Sequence, residues 1–444
     1  MSFTSPVFLF AFLPLTVIVY QLARSTKLKN AVWIAAGLLF YAFGDLRHLP
    51  LLLGSCLLHY GAGRYLMARK KARRAVLLSC VALDLAVLAF YKVRGALPLG
   101  ISFYTFQAIS YVADTYKNPA DGTKNLREAL QYLTFFPQLT AGPFLKFSAL
   151  RPYLDRRETT WEKNAQGVRR FVCGLCKKVL LSTAAAKLAD AMFSLASIDA
   201  LGAWTGALGY CLQLYFDFSG YSDMALGLGL LFGVQLPENF RHPYCAGSVT
   251  EFWRRWHMTL SGWFRDYVYI PLGGSRKGRA RTVFNKLLVF LATGLWHGTG
   301  WTFVLWGLWH GAFCGAETLL DRNKTLKTHW YGHVYTLLVV IFGFVLFRAE
   351  SVPQALMLLR AMLTGFAPVD ACRLALRNLL TAGTVFWCLA GVLACLPLWE
   401  HAKARFDGSR WFSPALDALT IVGLLLCLMQ LASHSFQPFI YASF

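Results

Sequence analysis

The sequence predicts an all-α polytopic membrane protein, and three observations carry that prediction. Of 444 residues, 56% are hydrophobic and only 15% charged, well below the ~25% charged content of soluble domains. Apolar runs near the ~20 residues that cross a bilayer recur from end to end. Lys and Arg gather between those runs at alternating positions, as they do in chains that cross a membrane repeatedly.

The apolar runs fall at 5–23, 30–43, 49–67, 75–92, 99–116, 204–234, 283–297, 301–319, 332–347, 380–399 and 414–432. The run 204–234 is long enough to be read as a broken pair. Segment 30–43 is short, so it is expected to tilt little or to lie where the bilayer thins. The first run has no basic residue ahead of it and no small-residue cleavage site, which favours a retained helix over a removed signal. No hydrophilic stretch is long enough for a separate soluble domain, and 1–444 reads as one integral membrane domain without internal repeats.

Formal net charge is +22, and its placement predicts topology. Arg24, Lys27 and Lys29 follow the first run, and Arg69, Lys70, Lys71, Arg73 and Arg74 follow the third. The loops after the second and fourth are nearly neutral, which puts the N-terminus outside and the 69–74 loop in the cytoplasm. A third cluster, Arg276, Lys277, Arg279, Arg281 and Lys286, has two readings: contact with anionic lipid headgroups, or steering of an anionic donor such as a coenzyme A phosphate. No nucleic-acid recognition motif accompanies the charge. Eleven cysteines, an odd number placed mostly within apolar runs, argue against a disulfide framework. Cys173 and Cys176 have redox spacing but apolar neighbours, so packing is the expectation, and no cluster has the ligand spacing of a metal site.

Two apolar stretches contain residues that break helices: Leu97-Pro-Leu-Gly-Ile-Ser-Phe-Tyr-Thr-Phe-Gln107 and Phe136-Pro-Gln-Leu-Thr-Ala-Gly-Pro143. Irregular backbone at membrane depth survives only inside protein or beside a water-filled cavity. Re-entrant pieces are therefore expected, with Ser102, Thr105, Gln107, Gln138 and Thr140 either lining a cavity or bonding helix to helix. Asp217 and Asp223 lie in another apolar run with Gly220 between them, where a kink is expected. They are read either as orienting histidines and catalytic water, or as ion-pair partners of arginines such as Arg254 and Arg255.

The histidines carry the functional reading, because an ionisable ring at membrane depth is costly and usually functional. Phe252, Trp253, Trp256, Leu260, Trp263, Phe264 and Tyr267 form one face of a predicted interfacial helix, and i−4 and i+3 relations place His257 on that face. His297 and His310 sit in a duplicated tetrapeptide, Leu295-Trp-His-Gly298 and Leu308-Trp-His-Gly311. On one continuous helix they would stand about 20 Å apart on different faces, too far for one centre to use both. Gly298-Thr299-Gly300 predicts a break after His297 and an exposed, cavity-facing ring there, which favours that ring as a general base; His310 reads as packing.

The motifs Pro98–Gln107, Ala141-Gly-Pro143, Tyr215–Ala225, Pro237-Glu-Asn-Phe240, Glu251-Phe-Trp-Arg-Arg-Trp-His257 through Arg265-Asp-Tyr267, Leu272-Gly-Gly-Ser-Arg-Lys-Gly278 and Gly294-Leu-Trp-His-Gly298 resemble the membrane-bound O-acyltransferase (MBOAT) superfamily, in its bacterial polysaccharide O-acetylase branch. The likeness runs from Phe8-Leu-Phe10 to Pro438-Phe-Ile-Tyr441. It implies an all-α, MBOAT-like bundle of about ten or eleven transmembrane helices, with re-entrant segments around a central tunnel or funnel, in the bacterial plasma membrane. It also implies an acyl donor arriving from the cytoplasm and an acceptor from outside.

The family's two motif histidines correspond to His297 and His257. The resemblance implies an O-acyltransferase that moves acetyl from acetyl-CoA, a substrate and not a bound cofactor, toward hydroxyls of an extracytoplasmic polysaccharide. An SGNH-type acetyltransferase from another gene is the implied partner, since this chain has no Gly-x-Ser-x-Gly elbow. His297 would act as base and His257 would orient or stabilise the centre, with Trp256 and Trp296 shaping the channel; transient acylation of His297 is the alternative. Ser102, Gln138, Asp217 and Asp223 are candidate tunnel residues, and Arg276, Lys277 and Arg279 candidate donor-phosphate contacts. The competing functions are D-alanyl transfer to teichoic acid from a carrier-protein thioester, a polysaccharide transporter, and a non-catalytic scaffold.

Overall fold

A computed structural model describes residues 1–321 and 323–433; the Pro438–Tyr441 end of the family likeness lies outside them. Every regular element among the described residues is helical. The described residues divide into two compact units: Met1–Gly174 with Tyr221–Glu238, and Leu175–Gly220 with 239–433.

In the first unit, long helices occupy Thr26–Asp45, Leu49–Ala68, Arg73–Arg94 and Ile101–Lys117. The segment expected to be short, 30–43, is therefore the interior of a 20-residue helix, begun by Ser25 accepting from the Leu28 N–H. The second irregular stretch contains only the four-residue helix Phe136–Leu139, wholly buried. Gln138 Nε2 donates to the Tyr132 carbonyl at 2.8 Å while its Oε1 is buried without a partner, and Thr140 bonds Tyr221. Phe136 packs edge-on to Phe232 at 5.5 Å between ring centroids, and Phe3 stacks on Tyr221 at 4.7 Å.

The second unit is built around the paired helices Gly278–His297 and Trp301–Leu319, with Trp330–Arg348 against them. Close approach of the pair requires Gly307, where an added Cβ would lie 2.5 Å from the Phe290 carbonyl oxygen. The run 204–234, expected to be broken, is instead the continuous helix Ala200–Leu231, buried without interruption over 213–229 around Gly220.

Among the described residues, Arg73–Arg94, Trp330–Arg348 and Phe412–Ala432 are individually long and apolar enough to cross a membrane. Asp370–Leu379 and Ala382–Ala394 pass that test together, with an 86° bend at the start of the run 380–399. Helices stand at the other expected positions, but they are shorter or more polar. Ile101–Lys117 shows why: fourteen of its seventeen residues are buried, and a helix enclosed by protein has no need of lipid-grade hydropathy.

Candidate active site

The helix expected through His257 is two helices, Val249–Arg255 and Met258–Phe264. Between them Trp256 is extended and His257 takes φ +43°, ψ +53°, a left-handed conformation costing about 1–3 kcal/mol for a residue with a Cβ. The surroundings impose it. The Met258 N–H donates to the Asn239 carbonyl at 2.9 Å, and the Arg241 N–H to the Arg255 carbonyl at 2.9 Å. Upstream, Ser248 caps the first helix, and the buried Glu317 carboxylate accepts from the N–H groups of Val249 and Thr250 at 2.7 and 2.9 Å.

These contacts fix the His257 tautomer. Asn239 Oδ1 accepts from the Thr259 N–H at 3.2 Å and lies 3.1 Å from His257 Nδ1. The atom facing the Thr259 N–H must be the amide oxygen, so it can only accept, and Nδ1 carries the hydrogen. In the neutral ring Nε2 then holds the lone pair. Helical periodicity put His257 on an apolar face; the true cause of its burial is this turn, sealed by Phe218 edge-on at 4.5 Å. Trp256 is boxed by Phe240, Phe252 and Phe344 at 5.1, 5.4 and 5.2 Å.

The break after His297 is where the glycines predict it: one helix ends at His297, Gly298 is extended, and the next begins at Trp301. The ring is not exposed as the break predicts: His297 is buried, because Trp296 at 4.8 Å, Trp306 at 5.3 Å and Phe347 at 5.0 Å pack around it. The break also cancels the 20 Å separation computed for an unbroken helix. Because the chain doubles back, His310 packs on the same Trp306 indole at 5.3 Å.

Asp217 and Asp223 are both ion-paired, but not with Arg254 or Arg255. Asp217 pairs with the buried Lys178, and Asp223 with Arg170 at 2.6 Å, which also holds Glu238 at 2.7 Å. Six residues on one helix separate the two carboxylates by about 120° around its axis, so they meet different neighbours. Arg255 pairs within its own helix with Glu251 at 2.6 Å. Arg276 and Lys277 are exposed, and exposed Arg279 lies 3.6 Å from Asp321. Among the sequence candidates, His257, His297, Trp256, Trp296, Asp217 and the 276–279 loop belong to the second unit; Ser102, Gln138 and Asp223 belong to the first. Cys176 lies 3.6 Å from Cys427 and all cysteines are free.

Sequence reasoning passed over Asn239 and Trp306. Asn239 had a signal, its place in Pro237-Glu-Asn-Phe240. Trp306 had part of one, since i, i+4 spacing sets it beside His310, while only the doubled-back chain brings His297 to it.

Buried histidines stand at two backbone breaks of this helical protein, and the comparisons give its class. Residues 117–358 match MBOAT, the membrane-bound O-acyltransferase family. The chain is 36% identical to a Pseudomonas putida protein named probable alginate O-acetylase, over the whole of both chains. It is 35% identical to the Helicobacter pylori peptidoglycan O-acetyltransferase, over 84% of this chain and 81% of that one. A Bacillus subtilis teichoic acid D-alanyltransferase is 28% identical over 57% and 69%. The chain therefore belongs to the membrane-bound O-acyltransferase family. It is an O-acyltransferase and a multi-pass membrane protein, and the transporter and scaffold readings are set aside.

Proposed function

We propose that the protein takes an acetyl group from cytoplasmic acetyl-CoA and passes it toward hydroxyls of an extracytoplasmic polysaccharide, with His297 as the base. The observation that carries this reading is a buried imidazole at a helix break, walled by Trp296, Trp306 and Phe347, in a chain similar along its length to O-acetylases of alginate and peptidoglycan. Alginate- or peptidoglycan-like polymers are the acceptor class those relatives suggest. An SGNH-type acetyltransferase would complete delivery, and the chain would lie in a bacterial plasma membrane, N-terminus outside.

His297 takes the proton of the acceptor hydroxyl as its oxygen attacks the thioester carbonyl carbon. The carbonyl electron pair moves to oxygen, the tetrahedral adduct collapses, and the coenzyme A thiolate leaves with the proton from His297. The aromatic wall limits water, and with it wasteful hydrolysis. His257, its Nδ1–H held by Asn239, presents a fixed tautomer to orient the centre. The exposed 276–279 loop attracts the anionic donor.

Membrane vesicles carrying the full-length chain decide the donor. Labelled acetyl from acetyl-CoA is expected in the acceptor fraction, and none from a D-alanyl carrier-protein thioester. Transfer from the D-alanyl donor alone would replace the acetylase reading with its competitor.

A further inference from the structure

Beside His297, the second unit holds three rings whose polar atoms the protein leaves unserved. Trp253, Trp306 and His310 meet pairwise, with centroids 5.5 Å (Trp253–Trp306), 4.9 Å (Trp253–His310) and 5.3 Å (Trp306–His310) apart. Trp306 and His310 are almost wholly buried, at 1% and 0% exposure. Both indole Nε1 atoms, and both ring nitrogens of His310, are buried without a hydrogen-bond partner. Buried polar groups are nearly always partnered, and three other indoles of this chain follow the rule. Trp33, Trp204 and Trp309 donate to the carbonyls of Gln131, Met362 and Val339 at 3.0, 3.0 and 2.9 Å.

An indole nitrogen only donates, and a neutral imidazole donates once and accepts once. Three adjoining rings therefore offer three N–H donors to an oxygen that no protein group supplies. Trp306 ties this cluster to the proposed base, since it also packs on the His297 ring at 5.3 Å. We propose that Trp253, Trp306 and His310 form the subsite for the thioester carbonyl oxygen of the acyl donor, donating N–H bonds that strengthen as it becomes the oxyanion. The inference rests on the reading of His297 as base. The chemistry suits the place: fixed donors aimed at developing negative charge in a dry site act most strongly in the transition state. Gly343 gives His310 its room, for a Cβ there would lie 2.3 Å from Nε2. A bound water is the other oxygen that these donors could hold, and kinetics separates the two.

The test uses full-length protein purified in detergent. Trp306→Phe and Trp253→Phe keep a ring and remove one N–H; His310→Phe removes the imidazole, and His310→Gln restores a donor. Each Phe variant is expected to lower kcat for acyl transfer by roughly 10²-fold with the acetyl-CoA KM nearly unchanged, and His310→Gln to recover part of the loss. Melting should stay within about 2 °C of wild type. Gly343→Ala, which displaces the His310 ring without deleting it, should lower kcat in the same way. Trp309→Phe, whose indole bond goes to the Val339 carbonyl, should retain kcat. Phe variants that lose melting temperature but keep kcat would assign the donors to a structural water and overturn the subsite, as would a rise in KM alone. If His297→Ala is inactive while the Trp306 and His310 variants are fully active, the subsite alone fails; if His297→Ala is active, the base assignment fails.

Discussion

His59 in the first unit and His310 in the second both sit within long helices with fully buried rings, and their hydrogen bonding could not differ more. His59 Nδ1 donates to the Ser55 carbonyl at 2.7 Å, and its Nε2 meets Asp84 Oδ2 at 2.8 Å. His310 is enclosed by Trp253, Trp306 and Phe290 and bonds to none of them. A ring whose nitrogens are both spent on protein holds helices together. A ring whose nitrogens are unspent has capacity for something that arrives later. Burial alone does not separate these cases, which is why membrane-depth histidines need their partners counted before they are given a function.

The comparison breaks if His59 proves to matter for chemistry. Both His59→Ala and Asp84→Asn remove one side of a buried pair, and about 3 kcal/mol of stability should go with it. Turnover per folded molecule should be unchanged. Detergent melting and transfer rates normalised to folded protein check this; a turnover defect in a stable variant would make His59 functional.

The turn at His257 sharpens the comparison, since one of its nitrogens is held. Asn239→Ala deletes the acceptor that fixes Nδ1–H and that also serves Thr259. A loss of kcat of roughly 10-fold or more is expected from a wandering tautomer. Asn239→Asp keeps the acceptor and should retain more activity. Equal losses in both variants would point to folding of the turn instead.

A smaller effect is expected from the exposed loop. Neutralising Arg276, Lys277 and Arg279 should raise the acetyl-CoA KM a few-fold at low salt with little change in kcat, because peripheral charge steers without touching the transition state. The difference should vanish at high salt; an unchanged KM at low salt leaves lipid contact as the loop's role.

The smallest effect concerns pH. Burial opposes ionisation of Asp199, but the N–H groups of Gly202 and Val369, at 2.8 and 2.9 Å, outweigh it and hold the carboxyl below its ordinary range. A depressed carboxylate contributes stability that is complete above its unfolded value of about 4 and disappears as pH falls through the lower folded value. Melting temperature should therefore decline below pH ~4 in wild type, and Asp199→Asn should flatten that part of the curve.

Much of the helical layout was legible because apolar length is a local signal: the run 301–319 coincides with the helix Trp301–Leu319. The break after His297 was equally local, written in Gly298-Thr299-Gly300. The break at His257 was not, because it depends on Asn239, eighteen residues away, and the amphipathic pattern of 252–267 runs straight through it. The partners of Asp217 and Asp223 lie 39 and 53 residues back, beyond the reach of any periodicity. His310 was discounted by helix arithmetic that a single turn invalidates.

The central claim is that His297 is the base of acyl transfer from acetyl-CoA. Purified full-length protein, mixed with acetyl-CoA and a polysaccharide acceptor, should release free coenzyme A thiol, followed with a thiol reagent. His297→Ala should melt like wild type and release thiol about 10³-fold more slowly. A His297→Ala protein that is folded and releases thiol at the wild-type rate would contradict the account.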